Sequence, residues 1–258
     1  AIFSVVNSVL LRPLPYPQPE QLVQLWESRP RQNMPRVEIA PHEFLAWADQ
    51  SQSFQRVAAT DVAEYNLTGR GEPERVTGAL VSAGYFPLLG VAPVQGRVFL
   101  EEEDRPGASD VVVLSNELWQ TRFNSDPSIA GQTLSLDGVA CTIVGVLPRG
   151  FRLPQNAAVA RPIAFNAEDR ARPGSHFLNV FGRLKDGVTV AQAEAEMATV
   201  AARVEQSLGG TNVGHQVVVV PLHEQIVGGS RTALLVLLGA VALVLLIACA
   251  NVANLLLA

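Results

Sequence analysis

The stretch "HFLNVFGRLKDGVTVAQAEAEMATVAARVEQSLGGTNVGHQVVVVPL" (residues 176–222) decides the fold class. Its opening, "HFLNVFGRLK", reads as a strand, and a helix follows. Thr189 and Gln192 have the spacing of a capping box, in which each side chain satisfies a backbone N–H left free at the helix start. Val190, Met197, Val200, Ala201, Val204 and Leu208 fall on one helical face, and Gly209-Gly210 ends the run. "HQVVVVPL" is the strand after it, so the unit is β-α-β.

The same order occurs upstream. "RPLPYPQPEQ" (12–21) is too rich in proline for a helix interior, and "LVQLWES" (22–28) alternates apolar and polar residues like a strand. "APHEFLAWADQSQSF" (40–54) predicts a helix: Pro41 suits its first turn, and Phe44, Trp47, Ala48, Ser51 and Phe54 keep helical spacing. Residues 56–86 then read as two or three strands with a hairpin at Gly69-Arg70-Gly71. Two β-α-β units sharing one antiparallel sheet, with both helices on one face, give an α+β class and a ferredoxin-like base, residues 20–92 and 155–227. Between them an insertion, residues 93–154, has short strands, turn signals at Asp137-Gly138 and Pro148-Arg149-Gly150, and one helix near Ser115–Phe123. It predicts a small β-rich subdomain.

The ends of the chain differ from this middle. Thr232–Ala258 carries no charged residue, and a helix over Ala233–Ala250 would be about 27 Å long, or about 39 Å if continued to Ala258. That is enough to cross a bilayer core of about 30 Å, so one membrane helix is predicted at Ala233–Leu257. The apolar run Ala1–Leu11 reaches only about 16 Å as a helix and reads equally as a buried element or as the end of a membrane helix.

Composition narrows the function. The net charge is -5 and Lys185 is the single lysine among 19 basic residues, which argues against nucleic acid. Cys141 and Cys249 lie in unlike contexts and predict no disulfide. His42 and His223 each begin "HE", but a zinc-protease helix needs a second histidine four residues on, where Ala46 and Val227 stand. His215 and His223 flank a strand that ends at a proline, a poor arrangement for a shared metal. "EEED" (101–104) lacks the glycine turn and alternating ligands of a calcium loop. Asn66-Leu67-Thr68 is a glycosylation sequon, a short pattern that often occurs by chance. No phosphate loop and no G-x-S-x-G occur, so no catalytic, cofactor or metal residue is assigned and no enzyme is expected.

Several segments in order, "SVVNSVLLRPLPYPQPEQLV", "SAGYFPLLGVAPVQGRVF", "VVVLSNELWQTRFNSDPSIAGQTLSLDG", "CTIVGVLP" and "LLGAVALVLLIACANVANLLLA", resemble the MacB/FtsX-type ABC transporter permeases, and among them the long duplicated acidobacterial type. The resemblance implies a fragment: residues 1–11 the end of a first membrane helix, 12–230 a MacB-like extracytoplasmic core, and 231–258 a second membrane helix. It implies a bacterial cytoplasmic membrane protein, dimeric or pseudo-dimeric, driven by a separate cytoplasmic ABC ATPase and acting on a periplasmic adaptor, envelope protein or export substrate. A sensory or scaffolding ectodomain that binds a peptide or envelope protein without transport is the alternative. In either case Glu101, Glu102, Glu103 and Asp104 are candidate partner contacts whose neutralisation should leave stability unchanged. Gly228 and Gly229 are a candidate hinge in the short link to the terminal helix.

Overall fold

The computed structural model describes residues 13–69, 71–108, 110–171, 175–207 and 214–228, with isolated positions between 236 and 256. The protein is mixed α+β. Its base holds β1 (Leu22–Arg29), α1 (Pro41–Gln50), β3 (Phe54–Thr68), β10 (Asn179–Leu184), α5 (Val190–Ser207) and β11 (Gln216–Pro221). These four strands stand in the order β11-β1-β10-β3, every neighbouring pair antiparallel. A short strand β2 (Met34–Val37) pairs with the end of β1.

Both base helices pack on the same face. Phe44 and Trp47 of α1 join Ala193, Met197, Val200 and Val204 of α5 over Val23, Leu25, Val180, Val217 and Val219 of the sheet. The capping box of α5 forms: Thr189 N–H donates to Gln192 Oε1 (2.8 Å), and Gln192 N–H donates to Thr189 Oγ1 (3.3 Å). Leu208 and the Gly209-Gly210 stop lie outside the described residues. Two expectations need correction. Phe54 opens β3 rather than closing α1, because the helix ends at Gln50 and Ser51 is already extended. β1 does not alternate: Leu22 packs into a second core on the opposite side of the sheet, so the strand is covered on both faces.

The rest of the chain extends the same sheet. β4 (Glu74–Val81) returns along β3 through the hairpin flanked by Gly69 and Gly71, both at positive φ. After α2 (Tyr85–Leu89) come β5 (Gln95–Gly96), β6 (Val111–Leu114), α3 (Asn116–Phe123), β7 (Thr133–Leu136), β8 (Val139–Val146), β9 (Val159–Pro162) and α4 (Ala167–Ala171). The order continues β3-β4-β9-β6-β8-β5, with β4-β9 and β6-β8 parallel, and β7 bridges β8 and β3. β6 is buried throughout because Val111 and Val113 enter one core while Val112 and Leu114 enter another under α3. Ser115 caps α3 by accepting from Leu118 N–H (3.2 Å), and Asp137-Gly138, both at positive φ, make the tight β7–β8 turn.

β3 is the strand common to both parts. It pairs with β10 over residues 54–60 and with β4 over 60–67, so the partner changes sides at Thr60, which is 2% exposed. Past Val81 the ladder is extended by a side chain: Ser82 N–H donates to Ala59 O (2.9 Å), and Ser82 Oγ accepts from Ala59 N–H (3.0 Å).

Among the described residues no helix is long and apolar enough to cross a membrane. Of the helix expected at Ala233–Leu257 only isolated positions are described; Val236, Leu237, Leu243, Leu246, Ile247 and Leu256 are helical and exposed. The helix end expected at residues 1–11 lies outside the described residues. Replacing Ser82 by alanine would leave the buried Ala59 N–H without its acceptor, so Ser82→Ala is expected to cost about 1–3 kcal/mol in urea unfolding.

Candidate functional site

Glu101–Glu103 form a single tight turn, and the four acidic residues behave in two ways. Glu103 is 9% exposed and takes both guanidinium nitrogens of Arg97, Nη1 at 2.8 Å and Nη2 at 2.6 Å, besides Leu100 N–H at 2.9 Å. The Arg97 hydrogen bonds hold its carboxyl below the usual carboxylate range. Asp104 accepts from Ala83 N–H and from Ala164 N–H, each at 2.8 Å, and so ties the residues just past β4 to those just past β9. Glu101 and Glu102 are exposed; Glu101 reaches Arg56 of the base only at 3.7 Å. The four residues are therefore not one acidic surface. Asp104 joins the insertion to the base, Glu103 braces its own turn within the insertion, and only Glu101 and Glu102 are fully exposed.

The candidate hinge is described in part. Residues 222–228 are helical and follow β11 directly, Gly228 is the last of them, and Gly229 lies outside the described residues. A groove of about 610 Å3 runs between α3 and the loop carrying Arg149 and Arg152, with Glu117, Gln120 and Asn156 also on its walls.

A polar cluster that the sequence does not announce lies inside the base. Glu27 of β1 is 1% exposed, and its Oε2 stands 3.0 Å from His176 Nε2. Its Oε1 is 3.1 Å from His215 Nδ1 and pairs with Arg29 Nε. Glu43, in the first turn of α1, accepts from Ala40 N–H (3.2 Å) and lies 3.7 Å from His176 Nε2. Burial opposes ionisation of Glu27, yet hydrogen bonds with His176, Arg29 and Glu43 outweigh it and hold the carboxyl at about 2. Burial and the adjacent Glu27 charge push Glu43 up to about 8. Burial also lowers His215 and His42. Neither nitrogen of His42 has a hydrogen-bond partner among the described residues, nor has His215 Nδ1. His176 and His215 converge on one carboxylate, an arrangement that the sequence reading does not anticipate. Residues 27, 43, 176 and 215 are far apart in the chain, so no local spacing could reveal them. Ala46 and Val227 leave the two "HE" sequences without the second histidine of a zinc-protease helix.

Fold and polar contacts define an α+β domain in which a layered insertion is carried on one long strand pair and clamped back to its base. By sequence, the chain belongs to the family of MacB-like periplasmic core domains, whose model matches residues 1–200. No curated protein matches the chain.

Solved structures similar in fold include a domain of a protein described as a permease from Porphyromonas gingivalis (TM-score 0.61, 14% identity, covering 80% of this chain and 92% of that one). The periplasmic region of MacB from Actinobacillus actinomycetemcomitans is another (TM-score 0.54, 14% identity, 84% and 92%). A third is the extracellular domain of the ABC-type transporter YknZ from Gram-positive bacteria (TM-score 0.54, 15% identity, 76% and 98%).

The split among the acidic residues gives a direct test. Asp104→Ala should cost about 1–3 kcal/mol, because two backbone N–H groups lose their acceptor, whereas Glu101→Gln and Glu102→Gln should stay within about 0.5 kcal/mol. Urea unfolding of the three variants checks this.

Proposed function

We propose that this domain is a mechanical element of the permease: it passes motion, driven by a separate cytoplasmic ATPase through membrane helices, to an envelope partner or export substrate. The observation that carries the reading is the family match over residues 1–200. The geometry supports it in three respects. The strand order β11-β1-β10-β3 with both helices on one face reads as a ferredoxin-like base. The insertion is joined to that base by a continuous strand and by Asp104, which favours movement as one body. The helical residues 222–228 follow the edge strand β11 without a loop, which favours transfer of displacement into the membrane helix expected beyond Gly229.

In this reading the domain is extracytoplasmic, the flanking helices sit in the bacterial cytoplasmic membrane, and the permease works as a dimer or pseudo-dimer. The groove beside α3, with acidic and basic side chains on its walls, is the surface proposed to meet the partner, together with Glu101 and Glu102. A sensory or scaffolding role would use the same groove, and tight binding of one envelope protein without any export phenotype would favour it.

Insertion of about six Gly/Ser residues after Gly228 would lengthen the link with flexible chain. In the permease reconstituted with its ATPase, ATP turnover and partner binding should persist while export or partner activation is lost. Undiminished export from that variant would contradict the mechanical role of the link.

A further inference from the structure

We propose that Glu27, Glu43 and His215 form a binding site for one divalent transition-metal ion of the Zn2+ class, with His176, held by Arg29, bracing Glu27 from outside the ligand set. The proposal is independent of the transmission reading. One ligand atom from each of the first three residues lies within 4.8 Å of the other two. His176 Nε2 stands 3.0 Å from Glu27 and 3.7 Å from Glu43. Two atoms bound to the same zinc ion, each about 2.0–2.2 Å from it, are about 3–3.5 Å apart. The 3.1 Å between His215 Nδ1 and Glu27 Oε1 falls in that range, and the two do not align as a hydrogen bond.

The surroundings fit an ion better than a larger ligand. A cavity of about 10 Å3, the size of a single water or ion, touches Glu27, Glu43 and His215 and is walled by Trp47, Val204 and Val217. The mixture of imidazole and carboxylate suits zinc rather than calcium or magnesium, which take oxygen ligands. Four charged or titratable groups face the cluster besides the three ligands, His176 being the nearest. Arg29 lies against Glu27 and His176, His42 is close enough to feel both of those residues, and Glu205 lines the cavity. Arg29 is 18% exposed and can turn outward when an ion takes over the neutralisation of Glu27. An ion here would join β1, the start of α1 and the residue ahead of β11, and so lock together the first and last elements of the base.

The test is calorimetric titration of the full chain with ZnCl2 after removal of metal by EDTA, with circular dichroism to confirm folding. One ion per chain at micromolar affinity or tighter, with a raised Tm, is expected. His215→Ala should weaken binding about tenfold or more. Glu205→Gln, which changes the cavity wall but no ligand, should leave it intact. Should His215→Ala fail to fold, Glu43→Gln takes its place, and the visible spectrum of the Co2+-loaded wild-type chain reports directly on tetrahedral nitrogen and oxygen ligation. Absence of saturable binding, an affinity unchanged in both ligand variants, or a Co2+ spectrum like that of the free ion would overturn the proposal.

Discussion

The change of partner at Thr60 is the constraint on which the rest depends. β3 pairs with β10 up to this residue and with β4 from it onward, and this shared strand favours movement of base and insertion together. Opening the junction would break the buried pair of hydrogen bonds between Ser82 and Ala59 and leave their groups unsatisfied. Ser82 strengthens the junction by continuing the ladder with its own side chain. The three apolar cores follow from this staggered sheet: one under α1 and α5, one around α2, and one under α3.

Polar side chains reinforce the same joint. Asp104 holds the ends of β4 and β9, Arg97 and Glu103 brace the turn ahead of it, and Arg183 of β10 donates to Leu88 O at 2.7 Å, fastening α2 to the base. Exposed ion pairs contribute little. The contacts made here by Asp104 and Arg183 go to backbone groups that would otherwise lose their partners, which is why they matter more than the pairs on the surface.

What the sequence made legible was what local chemistry controls. The capping box of α5, the helix near Ser115–Phe123 and the Asp137-Gly138 turn each depend on residues within a few positions of one another. The alternation expected in β1 failed because it assumes one solvated face, and the second core covers that face. "EEED" read as four equivalent candidate contacts because nothing local marks Glu103 or Asp104 as partners of Arg97, Ala83 and Ala164. The Glu27, Glu43, His176 and His215 cluster was hidden for the same reason on a larger scale: the sheet order, not the spacing, brings those residues together.

The central claim is that base and insertion move as one rigid body. Its most direct test is the distance between spin labels on exposed Ala202 of α5 and exposed Val139 at the β7–β8 turn, measured by pulsed electron paramagnetic resonance in the permease assembled with its ATPase. A single distance distribution, the same with and without ATP, is the predicted result. A second population appearing with nucleotide would show that the insertion swings on the base, and would contradict the claim.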